Sequence, residues 1–360
     1  MKSCESFKKK VRSGLSNIPG TKSSIQNAQL LVSTGIPSLD FVLGGGQPVG
    51  TVLLLEEDIY NEYANIVLKY FLAEGAVCGH ALFFGSLESN SDSFINELPA
   101  PVLTSSEDAF DHQSGADSLK IAWRYENKAP INTDLENKNI FGHNFDLSKV
   151  IDKNILSKTN VCIWNEYLPD PLFKEYSFYD NLLLKLNKEI CNGKFGTQSD
   201  VEFSDRNILR IGIQSLTSPF WLKDLNDPAN FMHLCKFFYK FRALLRSAFA
   251  VAIITIPAHL LKIAGHAKLH HLADICVGLE SFTGSERTTN PLFKEYNGLF
   301  HVYKVAAINS LAPPPVQNKD LAFKLRRKKF CIEKLHLPPE LQESSEREQD
   351  DLAMPCGTSK

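Results

Sequence analysis

The sequence predicts an α/β fold: a central, mostly parallel sheet flanked by helices, with a long polar insertion and disordered termini. Three observations lead there. Short β-branched or leucine-rich runs alternate with amphipathic helical stretches, the pattern of parallel strands buried on both faces by crossover helices. The 360 residues are 43% hydrophobic and 22% charged, enough for one large domain with tails or two small domains. Polar sequence rich in Asn, Asp, Ser and Lys collects between residues 101 and 206 and breaks the alternation.

The elements follow in order. Thr51–Leu55 comes after Gly44-Gly45-Gly46 and reads as a buried strand. Tyr63–Glu74 is helical, with Ile66, Val67, Tyr70 and Phe71 on one face, and Gly75 is expected to stop it. His80–Phe84 and Ile208–Gln214 are the next strands, and Phe231–Phe249 is an amphipathic helix. Ala250–Ile256 is a strand ended by Pro257, and Leu272–Glu280 is another. Leu299–Val305 and Phe323–Glu333 read as later strands, with a hairpin at the sheet edge. The domain plan is a disordered basic arm over 1–28, a core over 29–340 with a partly ordered insertion at 101–206, and a disordered acidic tail over 341–360.

Composition excludes several classes. A net charge of −2 rules out a globally basic nucleic-acid binder and leaves local basic surfaces open. The eight cysteines are scattered from Cys4 to Cys356. No CxxC or Cys/His pair has zinc-ligand spacing, so reduced thiols and no metal site are expected. The longest apolar run, Phe249–Pro257, is too short to cross a bilayer.

The informative segment runs from Ser33 to Glu74. Ser33-Thr34-Gly35, Leu39-Asp40, Leu43-Gly44-Gly45-Gly46 and Gly50 lead into a strand, and this order resembles the start of RecA and KaiC-type ATPase domains. There the strand is followed by GxxxxGK[ST], whose backbone N–H groups wrap phosphates while the lysine neutralises charge and the hydroxyl holds magnesium. Here the strand is followed by Glu56-Glu57-Asp58-Ile59-Tyr60-Asn61-Glu62-Tyr63. Without glycines the backbone cannot easily take the positive-φ turns that aim N–H groups inward. Glu57, Asp58 and Glu62 carry the wrong sign, and one like charge at about 4 Å costs on the order of 4 kcal/mol at an effective dielectric near 20. Gln214 stands where a magnesium-binding Asp is expected, and a neutral amide is a poor ligand for a hard cation. Glu88 falls near the place of a water-activating Glu. No catalytic residue is assigned.

A longer set of strings carries a specific resemblance. LVSTGIPSLDFVLGGG, VGTVLLLEED, FGHNFDLSK, RNILRIGIQSL, GLESFTGSERTTNPLFKEYNGL and DLAFKLRRKKFCIEKLHLPPEL together resemble the Elongator subunit 4 (PAXNEB) family over about residues 28 to 341. The resemblance implies a RecA-like fold without its own phosphate-binding loop, and a non-catalytic subunit. It implies a hetero-hexameric ring with Elongator subunits 5 and 6 that binds tRNA and supports carboxymethyl-type wobble-uridine modification, with the remaining Elongator subunits as further partners. It implies no cofactor bound by this chain alone, ATP only at ring interfaces, no membrane, and a cytoplasmic and nuclear location. An ATPase site shared between ring subunits and a scaffold without RNA contact stay open as alternatives.

RecA-like rings present two loops to their channel. The matching segments are Leu216–Ala229, with Phe220 and Trp221, and Ala258–His271, with Lys262, His266, Lys268 and His270 and no acidic residue. These four, with Arg326, Arg327, Lys328 and Lys329 of the second basic cluster, are the RNA-binding candidates, since such side chains meet phosphates with little sequence readout. The second cluster could equally pair with a neighbouring subunit or protect a sheet edge. Arg287 could reach across a subunit boundary or make local loop hydrogen bonds.

Overall fold

The computed structural model describes residues 18–24, 28–88, 91–102, 141–165, 178–201, 205–221, 228–261, 263–285, 287, 293–309 and 320–335. In chain order the elements are β1 (Thr21–Ser23), β2 (Leu30–Val32), α1 (Pro37–Val42), β3 (Gln47–Pro48), β4 (Val52–Glu56), α2 (Glu62–Cys78), β5 (Ala81–Gly85), α3 (Ser91–Asn96), β6 (Pro99–Pro101), β7 (Phe145–Val150), α4 (Lys153–Lys158), β8 (Val161–Trp164), α5 (Phe178–Asn192), β9 (Leu209–Ile213), α6 (Pro228–Arg246), β10 (Ala250–Ile256), α7 (Ile263–Leu272), β11 (Ile275–Ser281), β12 (Gly298–Lys304), β13 (Leu321–Leu325) and β14 (Phe330–Lys334).

Among the described residues, nine strands form the main sheet in the order β14-β13-β12-β11-β4-β10-β9-β5-β8. From β11 to β8 every pairing is parallel. β12, β13 and β14 extend the sheet antiparallel. This mostly parallel sheet flanked by helices is consistent with a RecA-like fold, and β4 lies at its centre with all five residues buried. Alternation along β4 splits two cores. Leu53 and Leu55 face α2 residues such as Val67, Leu68 and Phe71, whereas Val52 and Leu54 join Leu182, Leu186, Phe238 and Phe241 of α5 and α6.

Several expectations are corrected. α2 does not stop at Gly75 but runs to Cys78, and Gly79 closes it in the left-handed conformation. Gly75 serves close packing instead: a Cβ there would stand 2.6 Å from both Arg210 Cδ and Leu82 Cδ2. The arm expected over 1–28 gives way at Ile18, which is buried in the core, and Thr21–Ser23 pairs with β2. The 101–206 segment is not only an insertion. β8 closes the main sheet beside β5, and α5 covers the second face. Residues 103–140 and the tail at 341–360 lie outside the described residues.

The Ser33-Thr34…Asp40 motif is a structural clamp. The buried Asp40 carboxylate accepts hydrogen bonds from the Ser33 hydroxyl and from the Thr34 backbone and hydroxyl, the last two at 2.7 Å. Burial nonetheless raises its pKa to about 7 against these bonds. Beside it, Arg210 of β9 is fully buried and donates to the carbonyls of Ser33 and Phe71 and to His80 Nδ1.

Candidate functional site

The carboxyl ends of β4, β5, β9 and β10 meet at the N-terminus of α2. Glu56, Glu57 and Asp58 are all buried there. Asp58 turns back on the helix. Its Oδ2 accepts the Glu62 N–H at 3.0 Å, and its Oδ1 accepts the N–H groups of Tyr63 and Ala64, each at 3.1 Å. The first amides of a helix have no partner inside it and attract anions. Here the chain's own carboxylate takes them. Asn61, with φ of 54°, sets the left-handed turn into the helix. Glu62 itself is exposed, as are Ile59 and Tyr60.

Glu57 points toward the strand ends. It accepts the Ser215 hydroxyl at 2.9 Å and is also hydrogen-bonded to Thr255. Burial pushes its carboxyl up to about 7 against those bonds, and the charges of Glu88 and Asp58 add to the rise. Gln214 ends the network. Its Nε2 donates to Asn65 Oδ1 at 2.9 Å and to Glu88 Oε2 at 3.1 Å, and its Oε1 accepts from the Ser86 hydroxyl at 2.9 Å. Burial lifts the Glu88 carboxyl above its ordinary value. A neutral amide therefore holds the centre of the polar cluster, and the surrounding carboxylates are engaged internally.

The segment expected as a second channel loop is ordered differently. Ala258–Leu260 is a single 3-10 turn and α7 follows at Ile263, because an acid-free run of Ile, Ala, Leu, Lys and His is compatible with a helix packed on α6. Lys262 and residues 222–227 lie outside the described residues. Lys268 is exposed, with its ammonium 5.8 Å from the Phe231 ring. His266 and His270 turn inward and both contact Glu56 Oε1, at 3.1 and 2.6 Å. Trp221 is buried and stacks with Trp164 and Tyr179, whereas Phe220 is exposed.

The second basic cluster is a hairpin turn, not a continuous strand. Arg326 and Lys329 exchange backbone hydrogen bonds, so Arg327 and Lys328 stand exposed at the tip. Lys324 is buried and paired with Glu333 at 2.9 Å and Glu295 at 3.1 Å. Lys328 reaches Asp146 at 3.9 Å and Arg326 reaches Glu333 at 3.7 Å. Arg287 donates to Glu280 Oε1 at 2.8 Å and lies over the Phe282 ring.

The family model described as PAXNEB protein matches residues 14–359. The chain belongs to the PAXNEB family. It is 43% identical to Elongator complex protein 4 of Danio rerio over 98% of this chain and 93% of that protein. It is 42% identical to the Homo sapiens protein of that name, over 94% of this chain and 84% of that protein. With the Saccharomyces cerevisiae protein of that name the identity is 24%, over 93% of this chain and 80% of that protein. In this PAXNEB chain two features escape a reading of the residues. Asp58 was visible as a wrong-sign charge, not as a cap, because it precedes the helix by four positions rather than one. The His266–His270 pair has the i, i+4 spacing of one helix face, a signal that disappears once that segment is read as a loop.

Proposed function

We propose that this chain is the subunit-4 component of an Elongator complex. In this reading it is a non-catalytic RecA-like member of a hetero-hexameric ring with subunits 5 and 6. The ring binds tRNA and supports wobble-uridine modification, in the cytoplasm and nucleus. Relatives named Elongator complex protein 4 support the assignment to the complex. One observation carries the non-catalytic part: the Asp58 carboxylate takes the three amides of α2 that a RecA-like ATPase would offer to phosphate. A triphosphate arriving there would have to displace a buried anion and sit beside Glu57. Gln214 supplies no carboxylate for magnesium. Any ATP then belongs to interfaces between ring subunits.

The RNA part rests on Lys268, Arg327 and Lys328, which are exposed, and on His266 and His270 only through their placement of α7. The test is the species formed when this chain is co-expressed with subunits 5 and 6, measured by native mass, followed by tRNA crosslinking. A hetero-hexamer whose tRNA crosslinks map to α7 or the Arg326–Lys329 turn supports the reading. A chain that stays monomeric beside them, or that binds magnesium-ATP tightly by itself, overturns it.

A further inference from the structure

Glu56 is the last residue of β4, and His266 and His270 lie one turn apart on α7. Their ligand atoms all lie within 4.8 Å of one another. Hydrogen counting makes this contact unusual. His266 Nε2 is hydrogen-bonded to the Ala258 carbonyl, which can only accept, so Nε2 carries a proton. A neutral ring then aims its Nδ1 lone pair at Glu56 Oε1 across 3.1 Å. Two acceptors face one another, and a positive charge between them, a second proton or a metal ion, resolves the contact.

We propose that Glu56, His266 and His270 bind one divalent ion of the zinc class. Two imidazoles and a carboxylate, with a fourth position open, match zinc's preference, whereas magnesium and calcium favour oxygen ligands. Tetrahedral zinc with ligands at about 2.0–2.2 Å separates the ligand atoms by roughly 3.3 Å. The His270–Glu56 contact of 2.6 Å opens to that distance with a shift of under about 1 Å. The supporting groups are in place. The Ala258 carbonyl fixes the His266 tautomer, as outer partners do for metal-bound histidines. Tyr303 hydrogen-bonds Glu56, and its ring stacks on His270 at 4.9 Å. Gly278 makes room: a Cβ there would stand 2.9 Å from the Tyr303 ring and 3.2 Å from Glu56 Oε2.

A second trio, Glu74, Cys78 and His143, also converges but is a poorer site. Burial pushes the Cys78 thiol up to about 12, and the Arg210 guanidinium already offsets the Glu74 charge. An ion at Glu56 would clamp α7, and with it Lys268, to the central strand. The inference stands apart from the assignment to Elongator.

The experiment titrates the chelator-treated full chain with Co2+ and then Zn2+. One Co2+ per chain is expected, with the visible absorption of a four-coordinate ion that Zn2+ abolishes, and Zn2+ should raise the melting temperature. Removal of an outer partner in a metal site lowers affinity about 10–100-fold, so Tyr303→Phe should lose affinity in that range and His270→Gln should lose more, both with native circular dichroism. Absence of stoichiometric Co2+ on the native chain overturns the proposal. So does native Co2+ affinity in His266→Gln and in His270→Gln, or a thiolate-to-cobalt band that disappears in Cys78→Ser.

Discussion

Replacing Asp58 by alanine tests whether the α2 terminus is a phosphate site filled from within. The side chain accepts three N–H groups, two of them from the buried residues Tyr63 and Ala64. Hydrogen bonds to a charged group contribute about 1.5–3 kcal/mol each, but three bonds on one carboxylate are not additive. Ordinary N-caps contribute about 0.5–2 kcal/mol. Two effects reduce the loss: the Glu62 amide lies beside solvent, and Glu57 is relieved of a like charge. The expected cost is about 2–4 kcal/mol, beyond that of ordinary cap substitutions because buried donors are left without an acceptor. Urea unfolding should show a lower midpoint at unchanged slope, and the amides of residues 62–64 should exchange faster. Inorganic phosphate should then recover part of the loss in Asp58→Ala and leave the native chain unchanged, because only the variant exposes an unoccupied helix terminus. A cost below about 0.5 kcal/mol, the level of an indifferent surface change, would refute the reasoning, as would equal stabilisation of both chains by phosphate.

Arg210→Met leaves the Ser33 and Phe71 carbonyls and His80 Nδ1 without their donor and removes a positive charge that stabilises the buried Glu74 carboxylate, so a loss of about 3–5 kcal/mol is expected by denaturation. His143 has its pKa raised by the hydrogen bond to Glu74. A raised folded value means that this contact stabilises fully below the ordinary histidine value and fades as pH rises through the folded one. The stability gap between the native chain and His143→Gln should therefore shrink from pH 6 to pH 8, and a gap that widens would contradict the assignment. On the proposed function, Arg327→Ala with Lys328→Ala should weaken tRNA binding by the complex formed with subunits 5 and 6. The slope of log affinity against log salt should flatten by about 0.7–0.9 for each phosphate that is no longer neutralised, and an unchanged slope would remove the turn from the RNA surface.

The sheet was legible wherever a strand is buried on both faces. β4, β5 and β10 are almost wholly apolar, and β9 is apolar apart from Arg210, so their positions follow from the residues alone. β8 was not, because only Trp164 of its four residues is fully buried and its surroundings are polar, as befits an edge. α7 was missed for a different reason. Its three histidines and one lysine look like a solvated loop in one dimension, and only the packing against β4 reveals that His266 and His270 share an inward face. Gly75 illustrates the limit of local rules: glycine usually ends a helix, yet here it sits inside one because Arg210, 135 positions later in the chain, occupies the space of its side chain. Of the polar site, the acidic run Glu56-Glu57-Asp58 after β4 was readable directly. Its hydrogen-bond partners were not, since residues such as Asn65, Ser86 and Ser215 carry no motif.

If the proposed non-catalytic reading holds, these bonds are what let the scaffold stand without a nucleotide. A buried site that merely lost its lysine and its magnesium carboxylate would leave helix amides and strand-end groups unpaired, at about 1–3 kcal/mol for each buried polar group. Asp58 satisfies the amides, Gln214 satisfies Asn65, Ser86 and Glu88, and Ser215 satisfies Glu57. Asp58 is held by the helix amides, and Gln214 and Ser215 by neighbouring side chains, so changing any one of them breaks a hydrogen bond before it could supply a nucleotide ligand. On the proposed function, this network would oppose any gain of nucleotide binding by single substitutions.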